Sequence, residues 1–113
     1  MSDSCKKQNE SLIANNKLLR EVVPDAMKAF GALGSATYPD GHLSRKYKEM
    51  VALAIGIAVR CEGCIAWHVM EAKRNGATRE EVAELIALAI QMGGGPSAVY
   101  GGKALAGYDE FDV

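Results

Sequence analysis

Two cysteines and a histidine near the middle of this 113-residue chain have a spacing suited to redox chemistry. Cys61, Cys64 and His68 form a C-x-x-C-x-x-x-H pattern that opens a predicted helical segment. At about 100° per residue, Cys64 lies about −60° and His68 about −20° from Cys61 around a helix, so all three point the same way. Two thiols close enough to form a disulfide, with an imidazole one turn after the second, predict a redox pair with its own base.

The position of the thiols at a helix start also favours thiolate chemistry. Free N–H groups and the helix dipole stabilise a negative charge there, so we expect a cysteine pKa below the ordinary value of ~8.5. His68, four residues after Cys64, can accept the thiol proton or stabilise the thiolate. Gly63 leaves the turn between the thiols uncrowded.

The elements that position this motif are predicted to be helices throughout. Only 6% of the chain is aromatic, and the sequence has no β-type alternation of useful length, so we expect an all-α fold in a single domain spanning residues 1–113. Prolines, glycines and capping residues divide the chain into about six helical stretches. These predicted helices run roughly over residues 8–22, 24–33, 45–59, 61–75, 79–93 and 96–108.

The third predicted helix is apolar on every side in its second half, from Val51 to Val59. Such a helix must be buried all round, which is hard to arrange within one short chain. We therefore expect a subunit interface to cover one face. Gly56 and the neighbouring alanines would permit another helix to approach closely.

Glu49 is the candidate partner of the histidine. If the chain reverses near Arg60 and Cys61, two antiparallel helices place Glu49 opposite residues near Glu71, about 4.5 Å along the axis from the level of His68. A carboxylate near this imidazole would fix its tautomer and raise its basicity, giving a proton relay from Glu49 through His68 to Cys64. A solvated glutamate at the polar start of the helix is the alternative.

Other interpretations of the cysteines stay open at this point. Cys61, Cys64, His68 and Glu49 are four possible zinc ligands, although the chain has no second C-x-x-C or H-x-x-x-H pair of the kind structural zinc sites use. Inert core cysteines are a further alternative. Cys5 is predicted to be a loose N-terminal thiol without a role.

Composition indicates which classes of partner the chain does not favour and in which compartment we expect it. Thirteen basic and 14 acidic residues leave a net charge of −1, which does not favour binding to nucleic acid or to an anionic membrane. The longest apolar run, residues 50–59, is well short of the ~20 residues of a membrane span, and the N-terminus lacks the apolar stretch of a secretion signal. We therefore expect a cytoplasmic protein, in which two paired thiols are catalytic or bind metal.

The combined pattern resembles a known family. Glu49 lies twelve residues before the first motif cysteine, and further matching positions follow the motif: Ala72, Gly76-Ala77, Glu80-Glu81 and Met92-Gly93-Gly94-Gly95-Pro96. Together they resemble the carboxymuconolactone decarboxylase superfamily in its alkylhydroperoxidase D-like (AhpD-like) branch, over roughly residues 43–108. The resemblance implies an all-α fold, assembly into trimers or hexamers, and no bound cofactor or metal.

The resemblance also implies roles for the site residues. In AhpD-like enzymes the second motif cysteine attacks a peroxide and the first resolves the sulfenic acid to a disulfide, which here gives Cys64 and Cys61. The family's proton relay falls on Glu49 and His68. The expected activity is therefore that of a thiol-disulfide oxidoreductase or alkylhydroperoxidase-like peroxidase, regenerated by an external thiol donor of lipoyl or thioredoxin type.

One position departs from the peroxidase pattern. The family's histidine just before the second cysteine is replaced by Gly63, which favours disulfide reduction or exchange over efficient peroxide reduction. The family name suggests a second activity, decarboxylation of a lactone acid, which does not depend on a redox C-x-x-C. Arg45 and Arg60 are the nearby arginines that the sequence offers for such an acidic substrate.

Overall fold

The computed structural model describes residues 4–113, and residues 1–3 lie outside that description. The described part of the chain consists of six α-helices without a β-strand, which confirms the all-α prediction. The helices are α1 (Cys5–Val22), α2 (Pro24–Thr37), α3 (Arg45–Ala58), α4 (Glu62–Arg74), α5 (Arg79–Gly93) and α6 (Gly95–Glu110).

The predicted capping residues begin the helices that carry and support the motif. The Ser44 hydroxyl accepts a hydrogen bond from the Tyr47 N–H at the start of α3. Thr78 and Glu81 form a reciprocal capping box at the start of α5. Gly76, with a φ of 95°, supplies the left-handed residue after α4.

Two helices are longer than the sequence predicted. Helix α1 begins at Cys5 instead of residue 8, because the Ser4 side chain accepts from the Lys7 N–H and caps it there. Helix α2 continues past Leu33 to Thr37, with the Tyr38 N–H bonded to the Gly34 carbonyl. Glycine lowers helix propensity but does not stop a helix whose hydrogen bonds continue on both sides.

Helices α3 and α4 lie at the centre of the fold. The side chains of Leu53, Ile57, Ile65 and Val69 are fully buried between α3, α4 and the surrounding helices. The opposite face of α3 is not covered within the chain, since Val51, Ile55 and Val59 expose 52%, 57% and 65% of their surface. The predicted burial of α3 on every side therefore does not occur within one chain.

Helix α2 is the least supported element of the fold. It packs against α1 and against no other helix of the described chain, and none of its residues is buried. Its large apolar side chains Phe30 and Leu33 are 70% and 63% exposed. An apolar face of this kind is typical of a surface that another molecule covers.

The prediction for Cys5 was wrong. Its side chain is only 3% exposed and packs against Gly107 of α6, where an added Cβ would come 3.1 Å from the cysteine Cβ. Desolvation by this burial raises the pKa of the Cys5 thiol, partly offset by the Lys103 cation. Cys5 is therefore a core residue that connects the first helix to the last.

Candidate functional site

A tight reversal between α3 and α4 presents the cysteine motif. Arg60 adopts a left-handed conformation with a φ of 61°, and the Cys61 N–H bonds back to the Gly56 carbonyl at 3.0 Å. Gly56 then faces the first turn of α4, where an added Cβ would lie 3.2 Å from the Cys64 Cβ. The absence of a side chain at Gly56 thus allows the second cysteine to sit against α3.

Cys61 and Cys64 are joined by a disulfide, with their Cα atoms 5.2 Å apart. Cys61 is the N-cap of α4, and its Sγ accepts a hydrogen bond from the Cys64 N–H at 3.2 Å. Both residues are partly exposed and line an open cavity. The first cysteine is therefore the sulfur that the free N–H groups of the helix directly stabilise.

Glu49 and His68 are joined by a short polar contact. The Glu49 Oε1 lies 2.7 Å from His68 Nδ1, and the carboxylate side chain is only 2% exposed. A carboxylate accepts hydrogen bonds and cannot donate them, so the shared proton belongs to Nδ1. His68 Nε2 is left with a lone pair that can accept a proton.

A second buried carboxylate extends this pair. Arg45 Nε lies 3.4 Å from Glu49 Oε2, and its Nη2 lies 3.3 Å from Glu71 Oε2. Glu71 is 5% exposed and also pairs with Arg74. The Arg45 guanidinium therefore compensates both carboxylates, which a buried pair of like charges requires.

Tyr38 reaches the other side of the imidazole. Its ring stacks on the His68 ring with centroids 5.7 Å apart, and its hydroxyl lies 3.5 Å from Nε2. Lys48 holds this segment by donating to the Thr37 and Pro39 carbonyls at 2.8 and 2.7 Å. Burial raises the pKa of the Tyr38 phenol and the Glu49 carboxylate raises it further, so the phenol keeps the proton that it can donate.

A cavity of about 490 Å³ opens beside the disulfide, between α1, α2 and α4. Its size falls within the range of small-molecule sites. Trp67 forms part of its wall and also packs against the core. The lining residues are Leu12, Ile13, Asn16, Arg20, Phe30, Cys61, Gly63, Cys64, Trp67 and His68.

Residues 4–113 contain no group of three or more His, Cys, Asp or Glu side chains able to hold a metal ion. Two of the four possible zinc ligands considered from the sequence, Cys61 and Cys64, are joined to each other in the disulfide. None of the helices formed by these residues is both long and apolar enough for a membrane span.

Comparisons with known proteins identify the family. The sequence profile of the carboxymuconolactone decarboxylase family matches residues 24–106. The chain belongs to this family. An uncharacterized protein of Cupriavidus necator is 43% identical over 95 residues, which cover 84% of each chain. Uncharacterized protein 4 in the cox locus of Paracoccus denitrificans is 39% identical over 84 residues, covering 74% of this chain and 76% of that protein.

Solved structures of the family have the same fold. A carboxymuconolactone decarboxylase family protein from Legionella pneumophila superposes with a TM-score of 0.91 at 36% identity, covering 95% of this chain and 96% of the other. A family protein from Thermotoga maritima, described as a candidate for involvement in antioxidative response, gives a TM-score of 0.81 at 29% identity, covering 92% and 88%.

The structure brings the four predicted residues together and adds others. Cys61, Cys64 and His68 share the cavity wall, and Glu49 contacts His68 from α3. The two arginines offered for an acidic substrate do not line the cavity; the arginine that does is Arg20, on α1. Sequence reasoning missed Arg20 and Tyr38 because neither belongs to a motif or shares an element with the cysteines.

Proposed function

We propose that this protein is a thiol oxidoreductase that cycles between a Cys61–Cys64 dithiol and disulfide, reducing a hydroperoxide or a disulfide. One observation carries the proposal: the disulfide lies at the start of a helix, on the wall of an open cavity that it shares with His68. A structural disulfide needs neither an approach route nor a nearby base. The antioxidative description of the Thermotoga maritima relative agrees with this chemistry.

In peroxide reduction, Cys64 is the attacking sulfur. His68 Nε2 takes the thiol proton, and the thiolate attacks the terminal oxygen of the hydroperoxide, which breaks the O–O bond. The alkoxide leaves with the proton held on His68, giving the alcohol and a Cys64 sulfenic acid. The Cys61 thiolate then attacks Cys64 Sγ, and the hydroxide that leaves is protonated to water.

With a disulfide substrate, the same dithiol acts by exchange. The Cys64 thiolate attacks one substrate sulfur and releases the other as a thiolate, leaving a mixed disulfide. Cys61 then attacks Cys64 Sγ and releases the second substrate thiol. The Cys64 N–H contact to Cys61 Sγ at 3.2 Å favours a thiolate on Cys61, because a hydrogen bond stabilises the charged form.

The same contact explains how the enzyme would be regenerated. A thiolate from an external donor attacks Cys64 Sγ, and the N–H-stabilised Cys61 is the better leaving group. Attack by the donor's second thiol completes the transfer, so that one donor disulfide forms for each dithiol restored. We infer a dithiol donor of lipoyl or thioredoxin type, in the cytoplasm, where such donors keep thiols reduced.

Thiol counting with mass spectrometry tests the proposal. We expect hydroxyethyl disulfide or a hydroperoxide to convert the reduced protein to the Cys61–Cys64 disulfide with stoichiometric product. Cys64→Ser should abolish turnover, whereas Cys61→Ser should leave a mixed disulfide, or a trappable sulfenic acid, on Cys64. Failure of both oxidants to form the disulfide would refute the proposal. Carbon dioxide release from a carboxymuconolactone that survives thiol alkylation would support the decarboxylase instead.

Substitution of Gly63 tests whether the site acts on hydroperoxides or on disulfides. An added Cβ at Gly63 would meet nothing within 4 Å, and the residue lies on the cavity wall, so a larger side chain has room. We expect Gly63→His to raise the rate with hydroperoxide at least tenfold, because it adds an acid–base group beside Cys64, while changing the disulfide rate less. Gly63→Gln is the matched control that adds bulk without an imidazole.

We also propose that the protein works as a homotrimer or homohexamer. The exposed apolar side chains on α2 and on the outer face of α3 support this assembly, because a second copy could bury both surfaces. Light scattering on the purified protein tests the subunit number. Leu33→Asp should dissociate the assembly if α2 is part of the interface, because Leu33 is exposed on α2 but does not line the cavity.

A further inference from the structure

The cavity beside the disulfide has a polarity gradient along one wall. Leu12, Asn16 and Arg20 are spaced four residues apart on α1 and all line it. At 1.5 Å per residue, Arg20 lies about 12 Å along the helix from Leu12. The wall therefore changes from apolar to amide to cationic within the length of a small molecule.

The two ends of this gradient lie at different distances from the reactive bond. Near its start, α1 contacts the first turns of α4, through Gln8 to Glu62 and through Asn9 to the Ala66 carbonyl, each at 3.1 Å. Arg20 lies about two turns beyond Leu12, in the last turn of α1. The guanidinium thus marks the end of the cavity that is remote from this contact.

The charge at that end has no partner within the described chain. Arg20 forms no ion pair among residues 4–113, unlike Arg45, Arg74 and Arg79. None of the described lining residues carries a carboxylate, and Phe30, Trp67 and Ile13 make the rest of the wall mainly apolar. Arg20 is exposed at the edge of this mainly apolar wall, and an unpaired guanidinium there is complementary to the carboxylate of an apolar ligand.

We propose that the cavity binds an apolar chain that carries the reducible O–O or S–S bond towards the Cys61–Cys64 end and a carboxylate at the Arg20 end. The proposal rests on the oxidoreductase function and names the substrate class for that site. Arg20 is then a residue that determines specificity. It contacts the remote anionic group and takes no part in the electron transfer.

Binding can be measured without turnover because the chain has a single tryptophan, Trp67, and it lines the cavity. The probes are decanoate and decanol, which have the same chain length and differ in charge. We expect decanoate to change the Trp67 fluorescence of the oxidised protein at lower concentration than decanol. Raising the salt concentration should weaken decanoate binding and leave decanol binding unchanged.

Two variants separate the contribution of the Arg20 charge to decanoate affinity from the contribution of the apolar wall. Arg20→Gln should weaken decanoate about two- to fivefold, the range expected for a partly exposed ion pair, and should not affect decanol. Lys17→Gln removes a neighbouring α1 cation that does not line the cavity, and should change neither affinity. A cavity covered by a second copy of the chain would give no fluorescence response to either probe, and that result would overturn the inference.

Turnover measurements keep this inference separate from the proposed function. A fatty-acid hydroperoxide and its methyl ester share the same reacting group, so Arg20→Gln should raise KM for the acid and leave the ester unchanged. Equal effects on acid and ester would refute the carboxylate assignment. Hydroxyethyl disulfide lacks the anionic end, so its turnover reports on the dithiol alone and identifies a failure of the redox proposal.

Discussion

Replacing Glu49 with glutamine removes a charge from the site while keeping its shape. The Glu49 carboxylate is 2% exposed and lies 2.7 Å from His68 Nδ1. A glutamine carbonyl can still accept the Nδ1–H, so the tautomer and the ring orientation are retained. What is lost is the stabilisation of the imidazolium that forms when His68 takes the Cys64 proton.

The free-energy cost of Glu49→Gln has a lower and an upper limit. A charge-assisted hydrogen bond contributes about 1.5–3 kcal/mol and is roughly twice as strong as a neutral one, so the loss is at least about 0.75 kcal/mol. Coulomb's law for unit charges about 4 Å apart at an effective dielectric of about 20 gives an upper value of about 4 kcal/mol. A middle value of about 2 kcal/mol corresponds to a roughly 30-fold slower reaction.

Alkylation of the reduced protein by iodoacetamide, followed from pH 5 to 10 with mass spectrometry on Cys64, measures this loss directly. In Glu49→Gln we expect the rate of Cys64 alkylation at neutral pH to fall about 30-fold. The increase of this rate with pH should occur at higher pH than in the wild type. Glu71→Gln is the matched control, since that carboxylate is also buried but pairs with Arg45 and Arg74 instead of His68. Equal Cys64 rates in wild type and Glu49→Gln, with both folded, would refute the relay.

Four further predictions concern the surroundings of the motif and the buried Cys5. Gly56→Ala should destabilise the protein by about 1 kcal/mol in urea unfolding and slow disulfide formation, because its methyl group meets the Cys64 Cβ at 3.2 Å. Gly31→Ala is the control: its added methyl group meets nothing within 4 Å, so it should change neither the stability nor the rate of disulfide formation. Tyr38→Phe keeps the ring stack but removes the phenol that competes with the thiol for Nε2, so Cys64 alkylation should become about twofold faster; a slower rate would mean that the hydroxyl positions the imidazole. Because burial raises the pKa of the Cys5 thiol, a disulfide-exchange reagent should titrate two thiols in the native reduced protein and three in denaturant. The raised pKa of Cys5 also makes stability depend on pH. The contribution of this thiol to the free energy of unfolding is complete below its pKa in the unfolded chain and is lost as the pH rises through its higher pKa in the folded protein. Urea midpoints should therefore fall in the alkaline range.

Local signals predicted much of the fold and the centre of the site. Thr78 and Glu81 cap α5 through bonds between neighbouring residues, and Gly76 ends α4 through its own backbone preference. The geometric argument for Glu49 also succeeded, because an antiparallel helix pair has a fixed rise and the reversal at Arg60 sets its register. By contrast, the burial of Cys5 depends on α6, almost a hundred residues away, and no local pattern contains that information.

The sequence by itself determined that Cys64 and His68 lie on one face of a helix, since helical periodicity places residues four apart together whatever surrounds the helix. Only the tertiary structure decided what meets them. Tyr38 stacks on His68 because Lys48 holds the loop between α2 and α3, and Arg20 joins the cavity because α1 crosses α4. These contacts arise because segments far apart in the chain pack together and remove apolar surface from water. No periodic pattern in the sequence indicates which distant segments will pack together.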